Sequence, residues 1–340
     1  MASPCSGHRG RPVRCAAWGE LLRPPSLHRT VPPPLGLCAR HAGAARSTHR
    51  PEGDTTMTTP STPLLELSTL WIQVTGTWCN LTCTHCLNSS GPHNPWLKSL
   101  DTEMVTRYIK EGADLGIKEI YYTGGEPFLH KDMLLLIAHA LEVVPTTVLT
   151  NGILITDQVA DHLAALAQNS PYSLQIRISI DDVDPDKNDR IRGKGAFAKA
   201  VRALELLHNR GLLPILTATE ILRDELPEGR GMYEQFRDLL LGLGITKPRV
   251  KIMPVLPTGR MEREGGPLLT PEMLQGFDFS LLQCSETRVV AEGGVYACPI
   301  LAGLPGARLS AKSLKEALKP CDLYHTACVV CYETGMTCKN

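Results

Sequence analysis

Residues 70–86 read LWIQVTGTWCNLTCTHC, and this stretch decides the fold. Its first part, Leu70–Thr77, is rich in β-branched and aromatic residues and predicts a strand. Its second part places Cys79, Cys83 and Cys86 on the loop that follows the strand. A strand that runs directly into a cysteine-bearing loop suggests an α/β protein with its chemistry at the strand end.

Strand-like and helix-like segments alternate from this stretch onward. Further strands are predicted at Glu119–Thr123, Thr146–Thr150, Ser173–Asp181, Pro214–Ile221 and Arg249–Leu256. Helices, with apolar residues at three- and four-residue spacing, are predicted at Met104–Leu115, Met133–Val143, Val159–Ala167, Phe197–Leu207 and Tyr233–Leu243. Six β–α units predict an α/β fold, a partial (β/α)6 TIM-like barrel with a parallel sheet and right-handed crossovers. In such a barrel the loops at the carboxyl ends of the strands carry the chemistry.

The chain has twelve cysteines, and none lies between Leu87 and Gln283. Separated groups are not the pattern of a disulfide framework, so we expect a reduced, metal-binding protein of the cytoplasm. Six cysteines lie in the last sixty residues, at positions 284, 298, 321, 328, 331 and 338.

The amino-acid composition argues against two classes of binding partner. The 340 residues include 35 basic and 35 acidic ones, so neither a nucleic-acid groove nor a basic membrane-binding surface is supported. The longest apolar stretch, Met133–Val144, is broken by His139 and Glu142 and is too short to span a bilayer. We therefore expect neither nucleic acid nor membrane as a partner.

The amino-terminal segment differs from the rest of the chain. Residues 1–56 hold eight Arg, no Lys, eight Pro and three acidic residues. Such a segment cannot bury enough apolar surface to fold, so residues 1–60 are predicted to be a disordered leader. Prolines interrupt the amphipathic helix that an organelle transit peptide would need. An over-extended reading frame is the alternative, because the first methionine after Met1 is Met57. Two domains are then expected, at residues 66–262 and 270–340.

Three thiolates spaced as Cys79, Cys83 and Cys86 can hold three irons of a cubane and leave the fourth iron open. Zinc is the alternative, with His85 or His93 as a fourth ligand. Buried, inert thiols are a further alternative.

The C-x3-C-x2-C loop after a first strand resembles the signature of the radical S-adenosylmethionine (SAM) enzymes, over about residues 70–340. His85 stands where that family usually has an aromatic residue. The resemblance implies a [4Fe–4S] cluster at Cys79, Cys83 and Cys86 whose open iron binds SAM. It also implies reductive cleavage to a 5′-deoxyadenosyl radical that takes a hydrogen atom from the substrate, and an electron donor such as flavodoxin or ferredoxin.

Further segments match the family in the expected order. Thr123–Pro127 resembles the GGEP loop that receives the SAM amino group, and Thr150–Gly152 resembles a TNG segment beside SAM. Ile178–Asp181 and Asp189–Gly193 resemble the stretch that supplies a serine and an arginine to the SAM carboxylate and ribose. Pro254–Arg260 is similar to an exit common in the peptide- and protein-modifying branch. The resemblance thus implies SAM-binding roles for Gly124, Gly125, Glu126, Asn151, Ser179 and Arg192, with Thr217 and Thr219 facing the adenosine. A surface ion pair from Arg192 to Asp181 or Asp189 is the alternative for that arginine.

The carboxyl-terminal cysteines resemble the auxiliary-cluster domains of the family, called SPASM or twitch. Cys284 and Cys298 are thirteen residues apart, and Cys328 and Cys331 form a two-residue-spaced pair. The resemblance implies one auxiliary [4Fe–4S] cluster on these four residues, because the two-cluster form continues with more cysteines than this chain has before Asn340. Cys321 and Cys338 could replace one ligand or form an incomplete second site. A zinc knot is the alternative.

Three functions remain in view. The leading one is oxidation or crosslinking of a peptide or protein side chain. The second is the same radical chemistry on a small molecule, as in a dehydrogenation or in cofactor biosynthesis. The third is a non-catalytic iron–sulfur or zinc protein. Since the first strand begins within fourteen residues of Met57, a peptide substrate would call for a separate leader-binding protein.

Overall fold

The computed structural model describes residues 59–93, 95–221, 231–335 and Cys338. The predicted leader, residues 1–60, lies almost wholly outside these ranges. The first described element is a short strand, β1 (Ser61–Thr62), which pairs antiparallel with β10 (Cys321–Asp322). The start of the described chain is thereby joined to its cysteine-rich end.

Six parallel strands form the body of the protein. They are β2 (Thr69–Gln73), β3 (Glu119–Thr123), β4 (Thr146–Thr150), β5 (Leu174–Ser179), β6 (Ile215–Thr219) and β7 (Val250–Met253). Each strand pairs in parallel with the next, so their order in the sheet follows the sequence. Sequential parallel strands joined by helices confirm the predicted α/β fold, a partial TIM-like barrel.

All five predicted helices are present, with ends that differ from the prediction by at most two residues. They are α1 (Thr102–Asp114), α2 (Met133–Leu141), α3 (Asp157–Asn169), α5 (Ala196–His208) and α6 (Met232–Gly242). A further helix, α4 (Pro185–Arg192), was not predicted. Its start carries ordinary signals, because the Asp184 side chain accepts from two backbone N–H groups and Pro185 occupies the first helical position.

The first barrel strand ends earlier than its sequence suggests. The predicted strand Leu70–Thr77 stops at Gln73, because the Gly76 N–H turns back to the Gln73 carbonyl at 3.1 Å. Gly76 has φ +55° there, and a Cβ at this position would lie 2.2 Å from the Leu97 carbonyl oxygen. Only glycine fits this turn, which carries the chain from the strand into the cysteine loop.

The carboxyl-terminal segment is joined to the barrel through its strands. Its hairpin, β8 (Thr287–Ala291) and β9 (Gly294–Tyr296), extends the barrel sheet, with β8 parallel to β2. An open barrel leaves the edge of its first strand unpaired, and β8 covers that edge. The described residues of both predicted domains form one compact unit, which closes with the helix α7 (Thr326–Thr334).

Side chains alternate across the first barrel strand. Leu70 and Ile72 pack in the core that includes the helices, whereas Trp71 packs in a second core with the carboxyl-terminal segment. This two-residue period sends Trp71 and Gln73 toward the interior of the barrel. Across the described ranges, no helix combines the length and apolar character needed to cross a membrane.

Candidate functional site

A cavity of about 240 Å³ occupies the inner face of the barrel sheet and holds most of the predicted site. It is bounded by the loops and ends of the strands β2 to β7 and by part of the carboxyl-terminal segment. The predicted residues in its wall are Cys79, Cys83, Cys86, Gly124, Gly125, Asn151, Ser179, Arg192, Thr217 and Thr219.

The three cysteines of the first loop are free thiols on one side of this cavity. Backbone N–H groups point at two of them, from Leu81 to Cys79 Sγ at 3.4 Å and from Ser90 to Cys86 Sγ at 3.3 Å. Burial raises the pKa of Cys79 to about 12, so that thiol is protonated at neutral pH until a metal binds. The N–H groups that face the sulfurs suit thiolate ligands.

The Gly124–Gly125 loop lies against the backbone of the cysteine loop. A Cβ on Gly125 would come within 2.1 Å of the Trp78 carbonyl oxygen, and a Cβ on Gly124 within 2.3 Å of Thr75 Oγ1. Gly124 also has φ +146°, which side-chain-bearing residues rarely adopt. The two glycines therefore let two loops touch through their main chains beside the cavity.

Glu126 has a different place from the one predicted for it. Its carboxylate is fully buried and is absent from the residues that line the cavity. One oxygen accepts from Thr150 Oγ1 at 2.7 Å and the other from the Asn151 N–H at 2.8 Å. Burial raises the pKa of Glu126 to about 7. The carboxylate thus joins the glycine loop to the Thr150–Asn151 turn, and this contact explains the residue without a bound ligand.

Arg192 forms an ion pair and also borders the cavity. Its Nε lies 2.7 Å from Asp181 Oδ2, so the ion pair is formed, but both side chains are buried rather than on the surface. His85 Nε2 lies 3.3 Å from the same carboxylate oxygen. Arg192 still lines the cavity. Asp181 therefore holds His85 and Arg192 together behind the cysteine loop.

Arg260 was not predicted as a site residue, and it clamps the cysteine loop. Its Nη1 donates to the Cys83 carbonyl at 2.7 Å and its Nη2 to the Ser90 carbonyl at 2.6 Å. The preceding Gly259 has φ +58°, and a Cβ there would lie 2.4 Å from the Cys86 carbonyl oxygen. The Gly-Arg pair in Pro254–Arg260 was the available signal, and its structural role is to seat this loop.

The floor of the cavity is a stack of three side chains that sequence reasoning also missed. Trp71 stacks on Tyr121 with ring centroids 4.4 Å apart, and the Arg177 guanidinium lies 5.2 Å from the Tyr121 ring centroid. Trp71 and Arg177 line the cavity, and Arg177 Nη1 donates to the Cys338 carbonyl at 2.6 Å. An arginine between Ile176 and Ile178 in strand β5 was the signal that could have revealed this floor.

The carboxyl-terminal cysteines form a second site around a smaller cavity of about 30 Å³. The four predicted ligands Cys284, Cys298, Cys328 and Cys331 all line it. Cys321 and Cys338 do not line this smaller cavity: Cys321 contacts Cys284, and Cys338 lines the larger cavity. The contact with Cys284 keeps Cys321 beside the four cysteines expected to act together.

Arg288 lies beside this second site and was not predicted. It is fully buried, and its guanidinium donates to the carbonyls of Thr287, Cys284, Ala317 and Lys319. The bond to Cys284 ties the arginine directly to a predicted ligand.

The donor sets fit iron–sulfur clusters. Three thiols lie on one loop beside a cavity lined by polar SAM-site candidates, and four line a mostly apolar cavity. Both arrangements use sulfur donors, which iron–sulfur clusters require. Within the part of the chain that the structure describes, no three His, Cys, Asp or Glu side chains are grouped closely enough for a single metal ion.

Comparison with known sequences and structures agrees with this geometry. Residues 74–225 match the sequence profile of the Radical SAM superfamily. The mycofactocin maturase MftC of Mycolicibacterium smegmatis is 34% identical over 183 residues, which are 54% of this chain and 43% of that protein. The PqqA peptide cyclase of Granulibacter bethesdensis is 32% identical over 136 residues, 39% of this chain and 35% of that protein. The chain spans less than half the length of both relatives.

A solved structure supports the fold. The SAM-bound SuiB of Streptococcus suis superposes with a TM-score of 0.54 at 17% sequence identity, covering 79% of this chain and 66% of that chain. At this identity the likeness concerns architecture, namely the partial barrel with a carboxyl-terminal extension.

Proposed function

Residues 74–225 are a radical SAM domain, and from this premise we propose that the chain reductively cleaves SAM and abstracts a hydrogen atom from a peptide or protein side chain. The observation that carries the proposal is the shared cavity: Cys79, Cys83 and Cys86 line the same space as the SAM-site candidates. A cluster with SAM on its open iron supplies a 5′-deoxyadenosyl radical when reduced. A donor such as flavodoxin or ferredoxin would supply the electron.

The chain's own residues bind and orient SAM in this proposal. The main chain of Gly124 and Gly125 offers carbonyl oxygens to the ammonium group, because no side chain blocks their approach. The guanidinium of Arg192 and the hydroxyl of Ser179 bind the carboxylate and ribose. Thr217 and Thr219 face the adenosine. Asn151, whose Nδ2 donates to Asn80 Oδ1 at 2.7 Å, holds the cysteine loop at the edge of this site.

The carboxyl-terminal segment contributes to the wall of the cavity. Pro299, Ile300 and Cys338 line it together with the strand ends. A radical that meets an unintended hydrogen donor is wasted, so a wall that limits access serves the chemistry.

A peptide or protein substrate is the reading supported by the relatives, which are named as a maturase and a peptide cyclase. A separate leader-binding protein would then be a partner, and the reducing cytoplasm would be the compartment. One auxiliary [4Fe–4S] cluster at Cys284, Cys298, Cys328 and Cys331 would accept an electron from the substrate radical and make the reaction a net oxidation. These four thiols line one cavity, as such a ligand set requires.

The test is SAM cleavage by the full chain after anaerobic reconstitution with iron and sulfide. With dithionite the wild-type protein is expected to yield 5′-deoxyadenosine and to hold about eight irons, four for each cluster. Cys83→Ala is expected to abolish the product, whereas the control Arg202→Met, which removes a mostly exposed arginine of α5, retains it. If the intact, iron-loaded protein forms no 5′-deoxyadenosine, the proposal that it is a SAM-cleaving enzyme is refuted.

Substrate class is tested separately. Deuterium transfer from labelled candidate substrates into 5′-deoxyadenosine identifies the compound that loses hydrogen. Transfer from a peptide supports the proposal, and transfer only from a small molecule would replace peptide modification with the second function.

A further inference from the structure

Arg288 holds a positive charge inside the protein with every observed hydrogen bond directed at a neutral group. Nε donates to the Ala317 carbonyl at 2.9 Å, and Nη1 donates to the carbonyls of Cys284 at 2.9 Å and Thr287 at 2.7 Å. Nη2 donates to the Lys319 carbonyl. These bonds satisfy the N–H groups but leave the charge without an anion.

No Asp or Glu among the described residues forms an ion pair with Arg288. The contrast is Arg192, the buried arginine of the larger cavity, which has Asp181 at 2.7 Å. A buried cation without a counter-ion is costly, and an apolar side chain of similar volume would ordinarily be at least as stable. The presence of arginine therefore requires a negative partner.

The second cysteine site adjoins Arg288. Cys284 and Cys298 line the small cavity, and Arg288 donates to the carbonyl of Cys284 itself. Thiols that ligate a metal are deprotonated, so a cluster at this site would bring several negative charges close to the guanidinium.

We propose that Arg288 is the counter-charge of the auxiliary [4Fe–4S] cluster and raises its reduction potential. One-electron reduction adds one negative charge to the cluster, and a fixed positive charge in a low-dielectric surrounding stabilises the reduced form more than the oxidised form. The inference rests on the auxiliary cluster of the proposed function. Arg288 is a positioning residue, because it acts through the cluster rather than on the substrate.

The consequence concerns the direction of electron flow. A higher potential makes the auxiliary cluster a better acceptor for the electron of a substrate radical. As its new bond forms, the substrate radical would lose one electron, which the cluster gains, and one proton, which solvent water takes up. Arg288 thereby favours net oxidation of the substrate.

The experiment is a redox titration of the full chain in the Cys83→Ala background, in which only the auxiliary cluster remains. The amplitude of the electron paramagnetic resonance signal of the reduced cluster is measured against the applied potential. Arg288→Met is expected to make reduction about tenfold less favourable, a shift of about 59 mV toward negative potential for one electron. Arg202→Met, which removes a mostly exposed arginine from α5, is the control and leaves the potential unchanged.

Two further variants separate charge from hydrogen bonding, and they decide the matter even if Arg288→Met fails to fold. Arg288→Lys keeps the charge with fewer donors and is expected to recover at least half of the shift. Arg288→Gln keeps donors without the charge and is expected to show the full shift. Equal reduction potentials in the Arg288→Lys and Arg288→Gln variants would overturn the proposal and leave Arg288 with a structural role only.

Iron content separates this inference from the proposed function. If the Cys83→Ala protein holds about four irons and its reduction potential does not change when Arg288 is substituted, only the counter-charge role of Arg288 is refuted. If the Cys83→Ala protein holds no iron, the auxiliary cluster itself is refuted, whatever the result for SAM cleavage by the wild type.

Discussion

The two cysteine sites differ in what surrounds their thiols. Cys79, Cys83 and Cys86 border a cavity of about 240 Å³ whose largely apolar wall includes polar groups such as Ser179 and Arg192, whereas the carboxyl-terminal four border about 30 Å³ with an almost wholly apolar wall. The first site has room for a ligand beside its sulfurs. The second has room for little besides what the sulfurs bind, which suits a centre that passes electrons rather than one that binds substrate.

The sites also differ in how a buried arginine is compensated. Arg192 at the first site is paired with Asp181, and Arg288 at the second contacts only carbonyl oxygens. The Arg192 charge at the first site is therefore compensated before any metal binds. If a metal centre supplies the counter-charge of Arg288, metal loading is expected to stabilise the second region more than the first.

The largest expected effect comes from removing one thiol at each site. Cys83→Ala is expected to reduce SAM cleavage by at least about 10⁴-fold, more than 5 kcal/mol in activation free energy, because the open-iron cluster is lost. Cys331→Ala is expected to leave SAM cleavage within about tenfold of wild type, because the barrel site is intact. The measurement is 5′-deoxyadenosine formed per minute at matched protein concentration.

Both variants should lose about four irons per chain, so iron counting is the internal control. Equal loss of SAM cleavage in the two variants would break the comparison, since it would show that the sites do not act separately.

The sequence was sufficient for the barrel and for the cysteines, and for definite reasons. Alternating β-branched strands and amphipathic helices have strong periodicities, so five helices were placed within two residues of their ends. The C-x3-C-x2-C loop is local in sequence, and its three thiols do share one cavity wall. Local pattern predicts local structure well.

Contacts between segments that are distant in the chain could not be predicted from the sequence. The parallel pairing of β8 with β2 joins residues more than two hundred positions apart, and neither strand's sequence indicates which strand it pairs with. The Gly-Arg pair marks Pro254–Arg260, but the sequence does not show which carbonyls Arg260 and Arg288 bond. The motif around Glu126 likewise does not show that Thr150 and Asn151 donate to its carboxylate.

Breaking the completed ion pair of the first site is expected to have the next largest effect. Asp181→Asn leaves Arg192 buried without a counter-ion and should lower the free energy of unfolding by about 4 kcal/mol. Urea unfolding of the metal-free protein measures this change. The control is Asp157→Asn, whose partners Arg202 and Arg210 lie at the surface, and its stability should scarcely change. Equal stabilities of the two variants would contradict the contrast drawn between the arginines.

The buried carboxylate of the first site should give it a pH dependence. The folded-state pKa of Glu126, about 7, exceeds the ordinary value of 4.5, so the folded protein binds more protons between these values. This group therefore makes the free energy of unfolding fall as pH rises from about 4.5 to 7 and adds no slope above that. Relative to wild type, Glu126→Gln should gain roughly 3 kcal/mol over this interval. Urea titrations at several pH values test this, and a pH-independent difference would refute it.

The smallest expected effect concerns the main-chain contact that seats the cysteine loop. Gly125→Ala would bring a Cβ within 2.1 Å of the Trp78 carbonyl, and because this neighbour is backbone, the loop must shift. We expect a loss of about 2 kcal/mol in the free energy of unfolding, typical of overpacking, with faster iron loss to a chelator from the first site only.

Gly242→Ala is the matched control, since its Cβ would meet nothing within 4 Å. The carboxyl-terminal site should keep its iron in both variants, because the backbone that a Gly125 Cβ would meet belongs to Trp78 and Cys79 of the first site. Iron loss from both sites in Gly125→Ala would show that a shift of the cysteine loop also displaces the carboxyl-terminal segment. The two sites would then be structurally coupled.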